Sequence, residues 1–202
     1  MKKNKMGNCL IYMGLLFVVA AIFLTAYNFW DDRRAAAASG AAMEEILLDI
    51  SEAKEASEGE VPDYFVATEM EMPKRSVEKY DYIGVIDIPA LDINLPVIDE
   101  LSYPALKTAP CRYAGSAYQD DLIIAAHNYS GHFGKIKRLQ AGDEVFFTDM
   151  DGNLFSYQVV SMEVLKETAV EDMYSGGYDL TLFTCTYGGE SRMTIRCERN
   201  FI

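Results

Sequence analysis

An uncharged apolar stretch near the amino terminus places the strongest constraint on how this chain folds. It runs for 22 residues from Cys9 to Trp30 and consists mainly of Leu, Ile, Val, Phe, Ala and Met. As a helix it would measure roughly 33 Å at about 1.5 Å per residue, enough to cross a hydrocarbon core of about 30 Å. The stretch therefore predicts a single transmembrane helix over residues 9–30.

The charges before this stretch predict its direction in the membrane. Lys2, Lys3 and Lys5 precede it, and basic residues favour the cytoplasmic side, so residues 1–8 are expected in the cytoplasm. A cleaved secretory signal is the alternative, because the small residues Ala35–Ala38 resemble a cleavage site. The apolar stretch is longer than the usual core of a signal peptide, so we favour an uncleaved anchor. Both interpretations place the rest of the chain outside the cytoplasm.

The composition of residues 31–75 predicts an acidic, solvated spacer. Acidic residues, Ala and Ser dominate, and Pro62 and Pro73 interrupt regular structure. One short amphipathic helix is expected around Met43–Ile50, because apolar side chains recur there at helical spacing, and Ser39 is placed to cap it. No catalytic residue is predicted in this segment.

The overall charge of the chain argues against one class of partner. The formal net charge is −13 and the isoelectric point is near 4.5. Binding a polyanion requires a basic surface that releases counterions, so we expect no nucleic-acid partner.

From residue 76 onward the sequence changes to a series of short strands. Apolar and polar residues alternate, and turn residues such as the Asp151-Gly152 pair separate the runs. About eight strands are predicted, among them Tyr82–Ile88, Ile93–Ile98, Leu122–Ala126, Glu144–Thr148, Leu154–Val164, Leu180–Cys185 and Arg192–Cys197. Short strands at this spacing with few helices indicate an all-β domain, a closed or nearly closed β-barrel over residues 76–202.

Cys185 lies where one of these strands ends, which makes its thiol a candidate nucleophile. Thiolate character requires a nearby imidazolium or guanidinium, and His127, Arg192 and Arg196 are the available donors. His127 also follows a buried strand, where a rigid sheet would hold a general base open to substrate. An arginine on the adjoining strand would stabilise the oxyanion that forms when a thiolate attacks a carbonyl.

Other interpretations of these residues remain open at this point. Cys185 would also serve as a small apolar residue, with Arg192 and Arg196 on an outward-facing strand edge. A zinc site of His127, His132 and Cys185 lacks a fourth ligand, so no metal is predicted.

The cysteine count predicts at least one free thiol. Of the four cysteines, Cys9 lies in the apolar stretch, which leaves three for the rest of the chain. Cys111 and Cys197 either form a disulfide or stay unpaired and partly buried, and the spacing does not decide between the two.

Two motifs and their order carry a resemblance to a known family. Thr181-Leu182-Phe183-Thr184-Cys185 is followed by Arg192 at the start of the next strand, and Ile124-Ala125-Ala126-His127-Asn128 precedes both. These segments resemble those of the sortases, membrane-anchored cysteine transpeptidases of Gram-positive bacteria. The first matches the family's Thr-Leu-x-Thr-Cys signature. The second is similar to its Ala-Gly-His strand end, with Ala126 where glycine is usual.

The resemblance covers about residues 76–202 and implies an eight-stranded barrel with a role for each site residue. Cys185 would attack the Thr–Gly-type peptide bond of a sorting signal and form a thioester acyl-enzyme. His127 would act as general acid and then as base, and Arg192 would hold the signal and its oxyanion. Thr184 and Ala126 are the predicted substrate-binding residues, and no cofactor is implied.

The resemblance implies two kinds of partner. One is a surface protein that carries a sorting signal, and the other is an amine acceptor from a cell-wall precursor or a pilin. The implied location is the cell membrane. Two alternatives remain, a membrane-tethered cysteine hydrolase and a surface binding protein without turnover on the same barrel. Arg192 is preferred to Arg196 because it starts its strand. The segment 166–178 shows no long helical pattern, and no subclass is assigned.

Overall fold

The structure of the chain is a computed structural model that describes residues 4–57, 59, 61–65, 67, 69–186 and 188–200. By its internal contacts the chain divides into two units, Met1–Arg34 and Ala35–Ile202.

Helix α1 (Asn4–Ala56) supplies all of the described part of the first unit. By its length and composition, it is long and apolar enough to cross a membrane. Its large apolar side chains between Leu10 and Trp30 are exposed, as expected of a helix that lipid would surround. This agrees with the predicted span over residues 9–30. The side chains of Lys2, Lys3 and Lys5, on which the predicted direction rests, lie outside the described residues.

The part of α1 in the second unit packs against the β-sheet. Ala42, Ile46 and Ile50 recur every four residues and are buried together, so they form one apolar face of the helix. The amphipathic segment predicted near Met43–Ile50 is therefore helical but belongs to the compact unit, which differs from a solvated spacer. The predicted helix cap at Ser39 is wrong, because α1 is continuous through this residue.

In the part of the chain that the structure describes, nine strands form one sheet, and eight of them close into a barrel. Their order is β1-β2-β3-β4-β5-β8-β9-β7-β6, and an additional pairing of β2 with β6 closes the barrel. β1 pairs only with the first residues of β2 and stays outside the closure. The predicted eight-stranded, all-β barrel is confirmed. The strands are β1 (Arg75–Val77), β2 (Tyr80–Ile88), β3 (Ile93–Ile98), β4 (Cys111–Ala114), β5 (Leu122–Ala126), β6 (Glu144–Asp149), β7 (Leu154–Lys166), β8 (Leu180–Cys185) and β9 (Ser191–Arg199).

Short helices connect the strands. The α-helices are α2 (Tyr103–Leu106) and α3 (Val170–Tyr174), and 3-10 turns lie at Asp63–Phe65, Pro89–Leu91 and Phe133–Arg138. α3 has only five residues, in agreement with the absence of a long helical pattern before the cysteine strand.

The barrel interior is an apolar core to which most strands contribute. Because side chains alternate across a strand, one face of each strand fills the barrel, and Ile83, Ile124, Phe147, Leu182 and Ile195 are all fully buried there. Burial of each such side chain stabilises the fold by about 1.5–3 kcal/mol. The strand ends at the site are therefore fixed by a packed core.

Gly84 occupies the position where the barrel closes. It pairs with Val97 on β3 and with Asp149 on β6, next to an irregularity in the β2–β3 register. Its φ is +152°, and a Cβ there would overlap the carbonyl oxygen of Thr148. Glycine is required because the backbones of β2 and β6 approach each other too closely for a side chain.

We predict that Gly84→Ala lowers the free energy of unfolding by about 3 kcal/mol or more, since backbone atoms block the added methyl group. Gly40→Ala is the matched control. Gly40 lies in α1, and a Cβ at this position would point into open space, so alanine should raise stability by up to about 1 kcal/mol. Urea unfolding of the full chain in detergent, followed by circular dichroism, measures both. Equal stability of the Gly84→Ala variant and the wild type would contradict this account of the closure.

Candidate active site

The register of two parallel strands brings Cys185 and His127 together. β5 and β8 pair from Leu122 with Leu180 through Ala126 with Thr184. Cys185 ends β8, and His127 directly follows β5. Because parallel strands run in the same direction about 4.8 Å apart, the residues one step beyond the Ala126–Thr184 pair are neighbours.

A hydrogen bond between the ends of β5 and β8 fixes the last pair of the register, Ala126 with Thr184. The Thr184 hydroxyl donates to the Ala126 carbonyl at 2.8 Å, and both residues are buried. The bond joins the residues that immediately precede the thiol and the imidazole. In the structure Thr184 and Ala126 thus hold the two strands in register, and their predicted contact with substrate stays a prediction.

Arg192 lies directly across from Cys185 on the antiparallel strand β9. Its guanidinium is half-buried and donates to the carbonyls of Gly189 at 3.0 Å and Ser191 at 3.3 Å. These bonds hold the cation in the turn between β8 and β9, on the same edge of the barrel as the thiol.

Arg196 has a structural position instead. Its side chain is buried and donates to the Glu163 carboxylate at 2.7 Å and to the Thr181 hydroxyl at 3.0 Å. It also donates to the backbone carbonyls of Asp172 and Met173, which belong to α3. Arg196 therefore ties the segment before the cysteine strand to the barrel, and the choice of Arg192 for the site stays a prediction.

Two tyrosines pack on the His127 ring, and sequence reasoning missed both. The Tyr103 ring meets it edge-on with centroids 5.5 Å apart, and the Tyr129 ring is tilted at 4.9 Å. Tyr103 is 67% exposed. Tyr129 follows His127 by two residues, so its closeness in the sequence is a signal for this contact. Nothing near Tyr103 in the sequence indicates that its ring would pack on His127.

His132 does not join the thiol. It is fully buried, and its Nε2 lies 3.2 Å from the Ser39 hydroxyl of α1. Among the described residues, no group of three or more His, Cys, Asp or Glu side chains is arranged to hold a metal ion. The zinc alternative with His127, His132 and Cys185 gains no support from this geometry.

A small cavity of about 130 Å³ opens beside the thiol. Its walls are mostly apolar, so it suits an aliphatic side chain better than a charged group. Besides Cys185, they comprise Asn128, Phe133, Gly134, Ile136, Lys137, Thr184, Thr186 and Met193. A larger cavity of about 820 Å³ lies at the end of α1, and none of the three site residues lines it.

The cysteines of the second unit differ in their environment. Cys111 and Cys197 are free and buried, so no disulfide joins them. Burial raises the pKa of each thiol to about 12, because the thiolate loses its hydration. Cys185 is half-buried and borders the cavity. It is therefore the accessible thiol of the three.

We predict that a small alkylating reagent at pH 8 modifies Cys185 and leaves Cys111 and Cys197 unmodified in the folded protein. With a pKa of about 12, only about one buried thiol in ten thousand is ionised at that pH. Peptide mass spectrometry after brief treatment measures the label at each position, and the unfolded protein in urea, where all three react, is the control. Labelling of Cys111 at the rate of Cys185 would contradict the prediction.

The sequence of this chain is similar to those of known proteins. The family model for the sortase domain matches residues 86–200. The curated sortase A of Listeria monocytogenes is 28% identical over 119 residues, which cover 54% of this chain and 51% of the relative. The chain therefore matches about half the length of that relative.

Solved structures share the fold. Sortase C of Streptococcus pneumoniae superposes with a TM-score of 0.57 at 20% identity, over 76% of this chain and 96% of that one. The sortase D5 transpeptidase of Clostridium perfringens superposes with a TM-score of 0.55 at 20% identity, over 76% of this chain and 96% of that one. Sortase C of Clostridium perfringens, solved with the C-terminal cell wall sorting motif, superposes with a TM-score of 0.54 at 22% identity, over 79% of this chain and 89% of that one.

Proposed function

Because the chain belongs to the sortase family, we propose that it is a membrane-anchored cysteine transpeptidase that acts on the sorting signals of surface proteins. One observation carries the proposal. The parallel β5–β8 register and the antiparallel β8–β9 register place a half-buried thiol, an imidazole and a guanidinium at one edge of the barrel. These are the groups that acyl transfer through a thiol needs.

In the first half of the proposed reaction, the Cys185 thiolate attacks the carbonyl carbon of a Thr–Gly-type peptide bond. The tetrahedral intermediate collapses as the C–N bond breaks. The His127 imidazolium gives its proton to the departing amine, which leaves a thioester on Cys185. The buried strand ends keep both groups in place, so little motion is needed between the steps.

In the second half, neutral His127 takes a proton from an incoming amine, and the amine nitrogen attacks the thioester carbon. The C–S bond breaks, the Cys185 thiolate returns, and a new amide is released. The proposed acceptor is an amino group of a cell-wall precursor or a pilin. Splitting the transfer into two steps lets one imidazole serve each in turn.

Arg192 is the proposed electrostatic partner of both steps. It faces Cys185 across the strand pair, so its charge lies near the oxygen that becomes negative in each intermediate. Among the described residues, its bonds to the carbonyls of Gly189 and Ser191 come from one nitrogen of the guanidinium. The proposed partner of the other nitrogens is a substrate carbonyl.

The proposed substrate class rests on the cavity and on a structural neighbour. A Clostridium perfringens sortase C was solved with the C-terminal cell wall sorting motif. In this chain the mostly apolar cavity beside Cys185 would take an aliphatic side chain of such a motif, next to the bond that is cut.

The proposed location follows from the apolar part of α1. This helix would anchor the protein in the cell membrane, with residues 1–8 in the cytoplasm and the barrel outside the cell. In that position the site would meet surface proteins during their export.

We predict that the full chain in detergent, given a library of sorting-signal peptides, forms a thioester on Cys185 that mass spectrometry detects. An added amine acceptor should convert the adduct to a new amide. Cys185→Ala should form no adduct, His127→Ala should lower kcat about 10²–10⁴-fold, and Arg192→Ala about 10²–10³-fold.

Cys111→Ala is the matched control, because it removes a thiol outside the site and should leave the adduct intact. Release of free acid at an unchanged rate with saturating acceptor would favour a hydrolase. No adduct with any peptide would contradict the proposed function.

A further inference from the structure

One hydroxyl group of α1 contacts both elements that flank His127. Ser39 is 2% exposed, and its Oγ donates to the carbonyl of Thr108. The same Oγ lies 3.2 Å from Nε2 of the buried His132. Because the single hydroxyl proton goes to Thr108, Oγ accepts from the Nε2–H of His132.

The first of these contacts leads to Tyr103. Thr108 belongs to the turn that ends α2 (Tyr103–Leu106), and its N–H donates to the Ala105 carbonyl at 2.8 Å. The Ser102 hydroxyl caps the other end of α2 by accepting from the Ala105 N–H at 3.2 Å. α2 is a single turn, so holding Thr108 holds the Tyr103 ring that stands edge-on to His127.

The second contact leads to Tyr129. The N–H of His132 donates to the Tyr129 carbonyl at 3.0 Å, and the two rings lie 5.5 Å apart. The N–H of Gly134 donates to the same carbonyl at 2.9 Å. The Tyr129 ring packs in turn on His127 at 4.9 Å.

The loop after His127 fits closely against the helix. A Cβ at Gly131 would lie 3.2 Å from the Ala36 side chain, and one at Gly134 would lie 2.6 Å from the Tyr129 carbonyl oxygen. The Phe133 N–H donates to the His127 carbonyl at 3.3 Å. The loop that carries Tyr129 is therefore closely folded and touches α1 at Gly131.

We propose that Ser39 is a positioning residue for His127. By holding Thr108 and His132 at once, it fixes the two aromatic rings that pack on the imidazole. The consequence for turnover rests on the proposed function, whereas the consequence for the imidazole environment does not. Ser39 acts through other residues and does not touch the reacting atoms.

The direct test uses the fact that the chain has only two histidines. NMR of histidine-labelled full-length protein in detergent gives two sets of ring signals, which His127→Gln assigns. In Ser39→Ala both sets should shift and the titration midpoint of His127 should change, because its ring packing loosens. Alanine is the best helix former, so α1 should persist.

Matched variants separate positioning from stability. Ser51→Ala removes another hydroxyl of α1, one that is exposed and donates only to the Leu48 carbonyl, and should move neither signal. Ser39→Thr keeps the hydroxyl and should restore both. His132→Phe keeps a ring but removes the Nε2–H donor, so it breaks the contact from the other side and should displace the one remaining signal, that of His127.

In turnover, Ser39→Ala should lower kcat about tenfold through misplacement of the imidazole, with KM within about twofold of wild type, as expected when substrate binding is intact. An unchanged His127 signal and kcat in Ser39→Ala, even with a lower melting temperature, would overturn the inference. If the wild type turned over no peptide, the proposed function would fail, and the His127 signal alone would decide the role of Ser39.

Discussion

The parallel pairing of β5 with β8 is the constraint on which the site depends. Every residue of β5 and all but the last of β8 are buried, so sliding either strand by one residue would exchange the side chains of its two packed faces. Ala126 and Thr184 are the last pair of this register, and the hydrogen bond from the Thr184 hydroxyl to the Ala126 carbonyl joins them. Cys185 and His127 each follow this pair by one residue, so a core-packing requirement sets their separation.

Arg192 and Arg196 both lie on β9, but their surroundings differ. Arg192 stands at the rim opposite Cys185, whereas Arg196 is buried four residues further along β9 and binds Glu163, Thr181 and α3. A buried guanidinium must be satisfied by acceptors on every side, and the fold uses that requirement to attach α3 to the barrel. The Ser39 hydroxyl also joins distant segments, because it connects α1 to the turn at Thr108 and to the loop at His132.

The sequence predicted what depends on local patterns. Alternation and turn residues predicted six of the eight barrel strands, a short apolar run predicted β5, and the strand ends suggested Cys185, His127 and Arg192 as site residues. β4 was missed because the four residues from Cys111 to Ala114 are too few to show a period. Contacts between segments that are distant in the sequence could not be predicted from local patterns either. Ser39 suited a helix cap, but the alanine-rich sequence around it continues the helix and turns its hydroxyl toward Thr108 and His132.

The central claim is that strand register makes Cys185 and His127 neighbours, and a disulfide tests it most directly. Neighbouring positions on paired parallel strands lie about 4.8 Å apart, which falls within the Cα separation of about 4.4–6.8 Å that a disulfide needs. Mild oxidation of the His127→Cys variant, followed by peptide mapping, should show position 127 bridged to Cys185. The wild type treated in the same way should keep Cys185 free. A variant in which Cys185 stays unbridged, or pairs with Cys111 or Cys197 instead, would contradict the register and the site built on it.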